Sequence, residues 1–214
     1  MTGAQRGIVI FGDVIRSRTD APASTDWLRT LTSELDRAYP RGERLAPFAF
    51  TQGDELQGLL APGADPFAAV LHGALHAGAK PMRWAIVAGG IDPGRGPATE
   101  RTGEAFLAAR ALLDAARARR DSVLVSVGTE PADALLDDLA PILGDLLDDL
   151  TDRQRELARL MLLDGQRRSE AADAIKVSRA TVSVMAERAR IRRIAGLTAA
   201  LRRLVGAASD EDRS

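Results

Sequence analysis

At 214 residues, 45% apolar and 28% charged, the chain is long enough to bury a core as one large domain or two small ones. It has no cysteine, which excludes disulfides, thiolate metal sites and a Cys nucleophile. The net charge of −1 hides an asymmetry: residues 151–205 hold 13 Lys and Arg against 6 Asp and Glu, on an otherwise acidic body. A basic module of this kind points to a polyanion partner for the module alone. The N-terminus MTGAQRGIVIF lacks the basic-then-apolar plan of a signal peptide. The most apolar stretch, around Phe67 to Ala79, is too short to span a bilayer, so a cytoplasmic protein with no membrane partner is expected.

In chain order, Gly7 to Asp13 reads as a buried strand that ends on Gly-Asp. A helix follows from about Thr25 to Tyr39, with Trp27, Leu28, Leu31 and Leu35 on one stripe, and Pro40 and Gly42 end it. PFAFTQ and LQGLLA are strand-like runs separated by Gly53-Asp54-Glu55, a hairpin signal. Residues 66–79 read as a helix, MRWAIVAGGI as a strand, 102–118 as an Ala-rich helix and SVLVSVG as a last strand. The order βαββαβαβ opens with the split βαβ of a ferredoxin-like plan. Right-handed crossovers then make strands one and two parallel, with strand three antiparallel between them. The end of strand one and the turn between strands two and three fall on one sheet edge. Strands lie about 4.8 Å apart, so Asp13 and Asp54 are expected to converge and share a cation.

Residues 129–150, TEPADALLDDLAPILGDLLDDL, carry a Leu/Ile stripe with Asp on the other side. They read as two short helices, the second starting at Pro141, that form either a connector packed on its own domain or a dimer seam. A different unit begins at Thr151, where Thr151 and Gln154 have capping-box spacing for a helix through about Leu163. Gly165 punctuates, a short helix runs from about Arg168 to Ile175, and Ser178 caps a third. The expected division is an α+β body over 1–128, a helical connector over 129–150, an all-α unit over 151–205 and a disordered tail over 206–214.

The segment GQRRSEAADAIKVSRATVSVMAERARIRR has helix-turn-helix spacing. Ala172 lets two helices cross closely, and Ile175, Val177 and Val182 fill the space beneath the turn. At about 100° per residue, Val182, Met185 and Ala189 share the inward side of the third helix, while Arg179, Ser183, Glu187 and Arg190 lie opposite. In the standard docking that face enters the major groove of double-stranded DNA. Arg179 and Ser183 are the candidates for base edges, Arg167, Arg168, Arg188, Arg192 and Arg193 are the candidates for the phosphate backbone, and Thr181 and Arg190 are further candidate DNA-binding residues. Over about fifty residues, including LTDRQRELARL and VSRATVS, the segment resembles the helix-turn-helix of LuxR-type and sigma region 4-like regulators. A three-helix protein-binding bundle with a solvated basic face is the alternative.

Two carboxylates at a strand end and a hairpin turn suit a Mg²⁺ site for nucleotide phosphates, because Mg²⁺ takes a few hard oxygen ligands from protein and completes its shell with water and phosphate. Gly12 and Gly53 leave room for a ligand beside Asp13 and Asp54, and Arg16 and Arg18 can neutralise phosphate oxygens. The stretches IFGDVIRSR, FTQGDELQGLL, RWAIVAGGID and TGEAFLAARALL occur in the order and spacing of SatD family proteins, and the likeness runs through the whole chain. That resemblance implies a nucleotidyl-cyclase-like α+β domain joined to a C-terminal helix-turn-helix. The same stretches more distantly resemble the core of class III nucleotidyl cyclases and the hairpin of diguanylate cyclases. The resemblance implies that Asp13 and Asp54 match two metal-binding aspartates and that Arg110 matches an arginine on phosphates. It also marks departures, with Phe50 where cyclases carry a purine-selecting lysine, Phe106 where they carry a transition-state asparagine, and Gln52 where the hairpin motif has its first glycine. A phenyl ring cannot donate to developing charge, and one such donor is worth about a hundredfold in rate.

Glu55 is expected to face solvent or a neighbouring helix. His72 and His76 have metal-compatible i, i+4 spacing without an evident third ligand, and read as a half-buried helix face. Ala88 to Glu104 lacks the ending of a P-loop and reads as a mobile loop. The leading expectation is a homodimeric DNA-binding regulator that senses a nucleotide with Mg²⁺. The alternatives are an active nucleotidyl cyclase or phosphotransferase, and a regulator whose cyclase-like part serves only for dimerisation.

Overall fold

The computed structural model describes residues 5–15, 21–51 and 55–211, without the side chains of 21–23 and 209–211. Five strands form one mixed sheet: β1 (Gln5–Val14), β2 (Arg44–Phe50), β3 (Glu55–Leu60), β4 (Met82–Ile91) and β5 (Val123–Ser126), in the order β2-β3-β1-β4-β5. β1 runs antiparallel to both β3 and β4, β2 is antiparallel to β3, and β4 is parallel to β5. The helices are α1 (Ala21–Ala38), α2 (Phe67–Leu75), α3 (Glu104–Arg119), α4 (Ala132–Asp148), α5 (Asp152–Leu162), α6 (Arg168–Ala174), α7 (Arg179–Arg188) and α8 (Ile191–Glu211). No helix among the described residues is long and apolar enough to cross a membrane.

Alternation along β1 divides the core between two faces. Ile8, Ile10 and Val14 meet the α1 stripe Trp27, Leu28, Leu31 and Leu35 together with Phe67 and Leu75 of α2. Val9 and Phe11 meet Ala105, Phe106, Ala109 and Leu113 of α3 on the other face. Period 2 in the strand against period 3.6 in the helices makes both contacts possible from one sequence. The larger cluster continues without a break through Leu143 and Leu147 of α4 into Leu157 and Ala158 of α5, Val182 of α7 and Leu201 of α8. The body and the C-terminal helices therefore share one apolar core across the expected boundary at 150/151.

Several local expectations change. Residues 132–148 form one helix with Pro141 inside it, not two. Proline removes a backbone hydrogen bond, but Leu136, Ala140, Leu143, Gly144 and Leu147 bury one continuous stripe, and that packing holds the helix through the defect. α8 extends to Glu211, so residues 206–211 of the expected disordered tail are helical. The loop after β4 is tied down: the Asp92 N–H bonds the Thr102 carbonyl at 2.9 Å, the Thr102 hydroxyl bonds Asp92 Oδ2 at 2.8 Å, and Ala98 is buried in the smaller cluster. The short 3-10 turn Ala98–Glu100 in that loop packs on β2 and β3.

Candidate functional site

The β1/β3 register sets Asp13 directly opposite Glu55, both on the face that α3 covers. Both are buried, at 8% and 7% exposure. Each is met by an arginine from α3, where Arg110 and Arg117 stand seven residues apart on the stripe that also carries Phe106 and Leu113. Arg110 grips Glu55 with two nitrogens, Nη2 donating to Oε1 at 2.6 Å and Nη1 to Oε2. Arg117 grips Asp13 the same way, Nε donating to Oδ2 at 3.1 Å and Nη2 lying 3.0 Å from Oδ1. Such forked, charge-assisted pairs combine strength with fixed geometry. The Glu55 bond raises the Arg110 pKa above its ordinary value, and the Asp13 bond does the same for Arg117. Gln57 Nε2 donates to Glu55 Oε1 at 2.8 Å, and the Arg110 guanidinium lies 4.9 Å from the Phe11 ring centroid. Arg83 of β4 sits across from Asp13 in the register, and its Nε is buried without a hydrogen-bond partner.

This seam differs from the sequence expectation in its partners. Asp54, Gly53, Arg16 and Arg18 lie outside the described residues, so the carboxylate found opposite Asp13 is Glu55, turned to a neighbouring helix. Arg110 stands on the site, engaged by Glu55. Gly12 does not make room for a ligand: a Cβ there would lie 2.7 Å from Met82 Cε and 3.0 Å from Trp84 Cζ3, on the face opposite Asp13. The missing side chain seats Trp84, not a ligand. Arg117 and Arg83 were missed, although the seven-residue spacing from Arg110 carried the signal for Arg117. Among the described residues no three His, Asp or Glu side chains stand in a metal-binding arrangement. Asp13 and Glu55 supply the hard oxygens that Mg²⁺ prefers, yet each is neutralised by its arginine.

In the C-terminal helices, Thr151 and Gln154 form the capping box that starts α5, and Ser178 Oγ accepts the Thr181 N–H at 3.0 Å to start α7. α7 buries Val182 and Ala186, with Ala189 just past its end. Its exposed side therefore carries Arg179, Ala180, Thr181, Val184, Glu187 and Arg188. The expected face is rotated: Ser183 and Met185 are half-buried, and the centre of the outer side is Val184, 53% exposed. Small Ala186, not Met185, takes the tight inward position. Arg190 has a φ of 52° beyond the helix end, and its Nη1 donates to Asp149 Oδ2 at 3.3 Å, off the α7 face. The Thr181 hydroxyl lies 2.8 Å from Ser178 Oγ, within the cap. Arg167, Arg168, Arg192 and Arg193 are exposed. Arg153 and Arg188 border an open groove of about 520 Å³ between the start of α5 and α7; Arg153 and Val184 were not foreseen from the sequence. No family model, curated protein or solved structure matches this chain.

Proposed function

We propose that the protein is a homodimeric, cytoplasmic DNA-binding regulator whose α+β body binds a nucleotide together with Mg²⁺. In this reading the βαββαβαβ body is ferredoxin-like and cyclase-like, and α5, α6 and α7 form a helix-turn-helix. The strand order β2-β3-β1-β4, with β3 between β2 and β1, supports the first part. The observation that carries the DNA reading is α7: a Ser178-capped helix whose inner side is buried and whose outer side presents Arg179, Thr181, Val184 and Arg188 amid further exposed arginines. Guanidinium groups suit guanine edges and phosphates, and an exposed apolar side chain suits a thymine methyl group.

The nucleotide reading rests on the seam. Asp13 and Glu55 offer carboxylate oxygens, while Arg117, Arg110 and Arg83 offer donors suited to phosphate oxygens. A metal-bound polyphosphate exchanges each intramolecular pair for one of its own. Phe106 is buried against Phe11, with ring centroids 6.0 Å apart, and gives no donor for developing charge, which favours sensing over turnover. Leu107 on α3 and Ile142 on α4 are 76% and 48% exposed, large apolar side chains that favour self-association. The test is thermal unfolding against a nucleotide panel with and without Mg²⁺, for wild type and Asp13→Asn, beside DNA binding of wild type and Arg179→Ala. Stabilisation that needs Mg²⁺ and Asp13 is expected, as is a loss of about 1–3 kcal/mol at a specific site for Arg179→Ala. An equal loss on random DNA would remove the base-reading role; unchanged nucleotide stabilisation in Asp13→Asn would remove the metal reading.

A further inference from the structure

On the opposite side of the sheet, a second polar cluster joins the body to the C-terminal helices. Glu34 of α1 faces His72 of α2, His76 just past the end of α2, and Arg159 of α5. Glu34 Oε1 lies 3.5 Å from His76 Nε2 and 3.6 Å from Arg159 Nη2, and Glu34 Oε2 lies 3.9 Å from His72 Nδ1. These spacings suit charge attraction but are long for hydrogen bonds. Glu34 Oε2, His72 Nδ1 and His76 Nε2 are all buried without a hydrogen-bond partner, and His76 is only 8% exposed. Buried polar atoms left this way call for a physical reason.

The surroundings of His76 Nδ1 supply one. It sits 3.1 Å from the Trp27 indole N–H, which can only donate, and 2.5 Å from the Ala77 carbonyl, which can only accept. A neutral ring with its proton on Nε2 satisfies Trp27; a ring with a proton on Nδ1 satisfies Ala77. The two contacts thus belong to two positions of the proton. On the α5 side the seam has two arginines of different kinds. Arg155 donates to the carbonyls of Ala74 in α2 and of Leu150 just past α4, and those acceptors do not titrate. Arg159 instead approaches Glu34, at 3.6 Å, the carboxylate that both histidines also face.

We propose that Glu34, His72, His76 and Arg159 form a proton-operated clasp, which holds α5 to the body near neutral pH and loosens it as the histidines take up protons. With neutral histidines the carboxylate and Arg159 balance. With both protonated, three cations compete for one carboxylate, and Arg159 is displaced from it. Burial and Arg159 press His72 toward its neutral form, while Glu34 and Asp164 oppose them. A cleft of about 410 Å³ bordered by His76, Asp152, Glu156 and Arg159 gives solvent a path to the cluster. The clasp does not depend on what the α7 face binds.

The chain has only two histidines, so an NMR titration reads both directly. The experiment pairs that titration with hydrogen exchange of α5 and β1 amides between about pH 7.5 and about pH 5.5, corrected for intrinsic rates, spanning the ordinary histidine range. Wild-type α5 is expected to lose protection severalfold on acidification while β1 keeps its own, and His72→Asn/His76→Asn is expected to flatten the α5 response. Glu34→Gln removes the shared carboxylate and should leave α5 weakly protected at every pH; it also serves if the double variant does not fold. The same acid response in the double variant or in Glu34→Gln, or α5 and β1 losing protection together, overturns the clasp.

Discussion

The two polar clusters flanking the sheet both set carboxylates against arginine, to opposite ends. Under α3, Asp13 and Glu55 each receive a two-pronged arginine at hydrogen-bonding distance, and Gln57 adds a further bond to Glu55. Under α1 and α2, Glu34 is shared among three bases, none closer than 3.5 Å, and three buried atoms lack a bond. A carboxylate saturated by a forked arginine is held by the geometry of its pair, although Arg83 Nε beside these two pairs lacks a hydrogen-bond partner. An unsaturated cluster containing histidine has states close in energy, and its charge follows the pH. The first therefore resists any agent that does not replace both members of a pair, whereas a proton suffices to change the second.

The largest effect should come from breaking the saturated side. Arg110→Ala leaves the Glu55 carboxylate buried with only Gln57 as donor, and removes the cation over Phe11. A destabilisation of about 2–3 kcal/mol is expected in urea unfolding, below the full value for a buried pair because the Arg110 side chain is half-exposed. Glu55→Gln should cost less, since the freed guanidinium reaches water. Equal costs for the two variants would mean that the pair behaves as a surface ion pair.

Next in size is Gly12→Ala, which separates the two faces of β1. Its Cβ would press on Met82 and Trp84 beneath the sheet, on the side away from Asp13. Overpacking of about 1–3 kcal/mol is expected, reduced to the extent that the Met82 side chain gives way, with no change in any Mg²⁺-dependent nucleotide effect. If instead that effect falls while stability holds, Gly12 borders the ligand after all.

What was legible in the sequence follows the same division. The strands, the α1 stripe, the capping box at Thr151 and the cap at Ser178 are local, and period and short spacing carry them. Asp13 as a polar residue ending a buried strand was legible for the same reason. Its pairing was not: the seven-residue spacing from Arg110 puts Arg117 on the same helix stripe, but Arg117 lies 104 residues from Asp13 and only the placement of α3 on β1 brings them together. Glu34 was invisible as the third member of the His72/His76 group, since it lies on a different helix that only the packing of α1 on α2 brings close. The phase of α7 was misjudged because Met185 and Ala186 compete for the inward position by size as well as by hydropathy. The single helix through Pro141 shows burial along a stripe outweighing a local break signal.

The smallest expected effect bears most directly on the unsaturated cluster. Arg159→Ala removes a contact of 3.6 Å to a partly buried carboxylate, so near pH 7.5 it should cost only about 0.5–1 kcal/mol. Its value lies in the pH profile. The pKa of His72 is lowered in the folded protein, chiefly by burial and further by Arg159. A folded-state pKa below the unfolded one means that the unfolded chain binds the proton first. The stability this group gives is thus complete above the ordinary histidine value and lost as pH falls through the folded pKa, at up to about 1.4 kcal/mol per pH unit for one proton. Without Arg159 the depression is smaller, the acid slope is shallower, and the variant and wild-type curves approach each other below about pH 6. Urea unfolding of both proteins at several pH values checks this. Parallel curves would mean that Arg159 and His72 do not feel each other, and the cluster would then be two separate contacts rather than one.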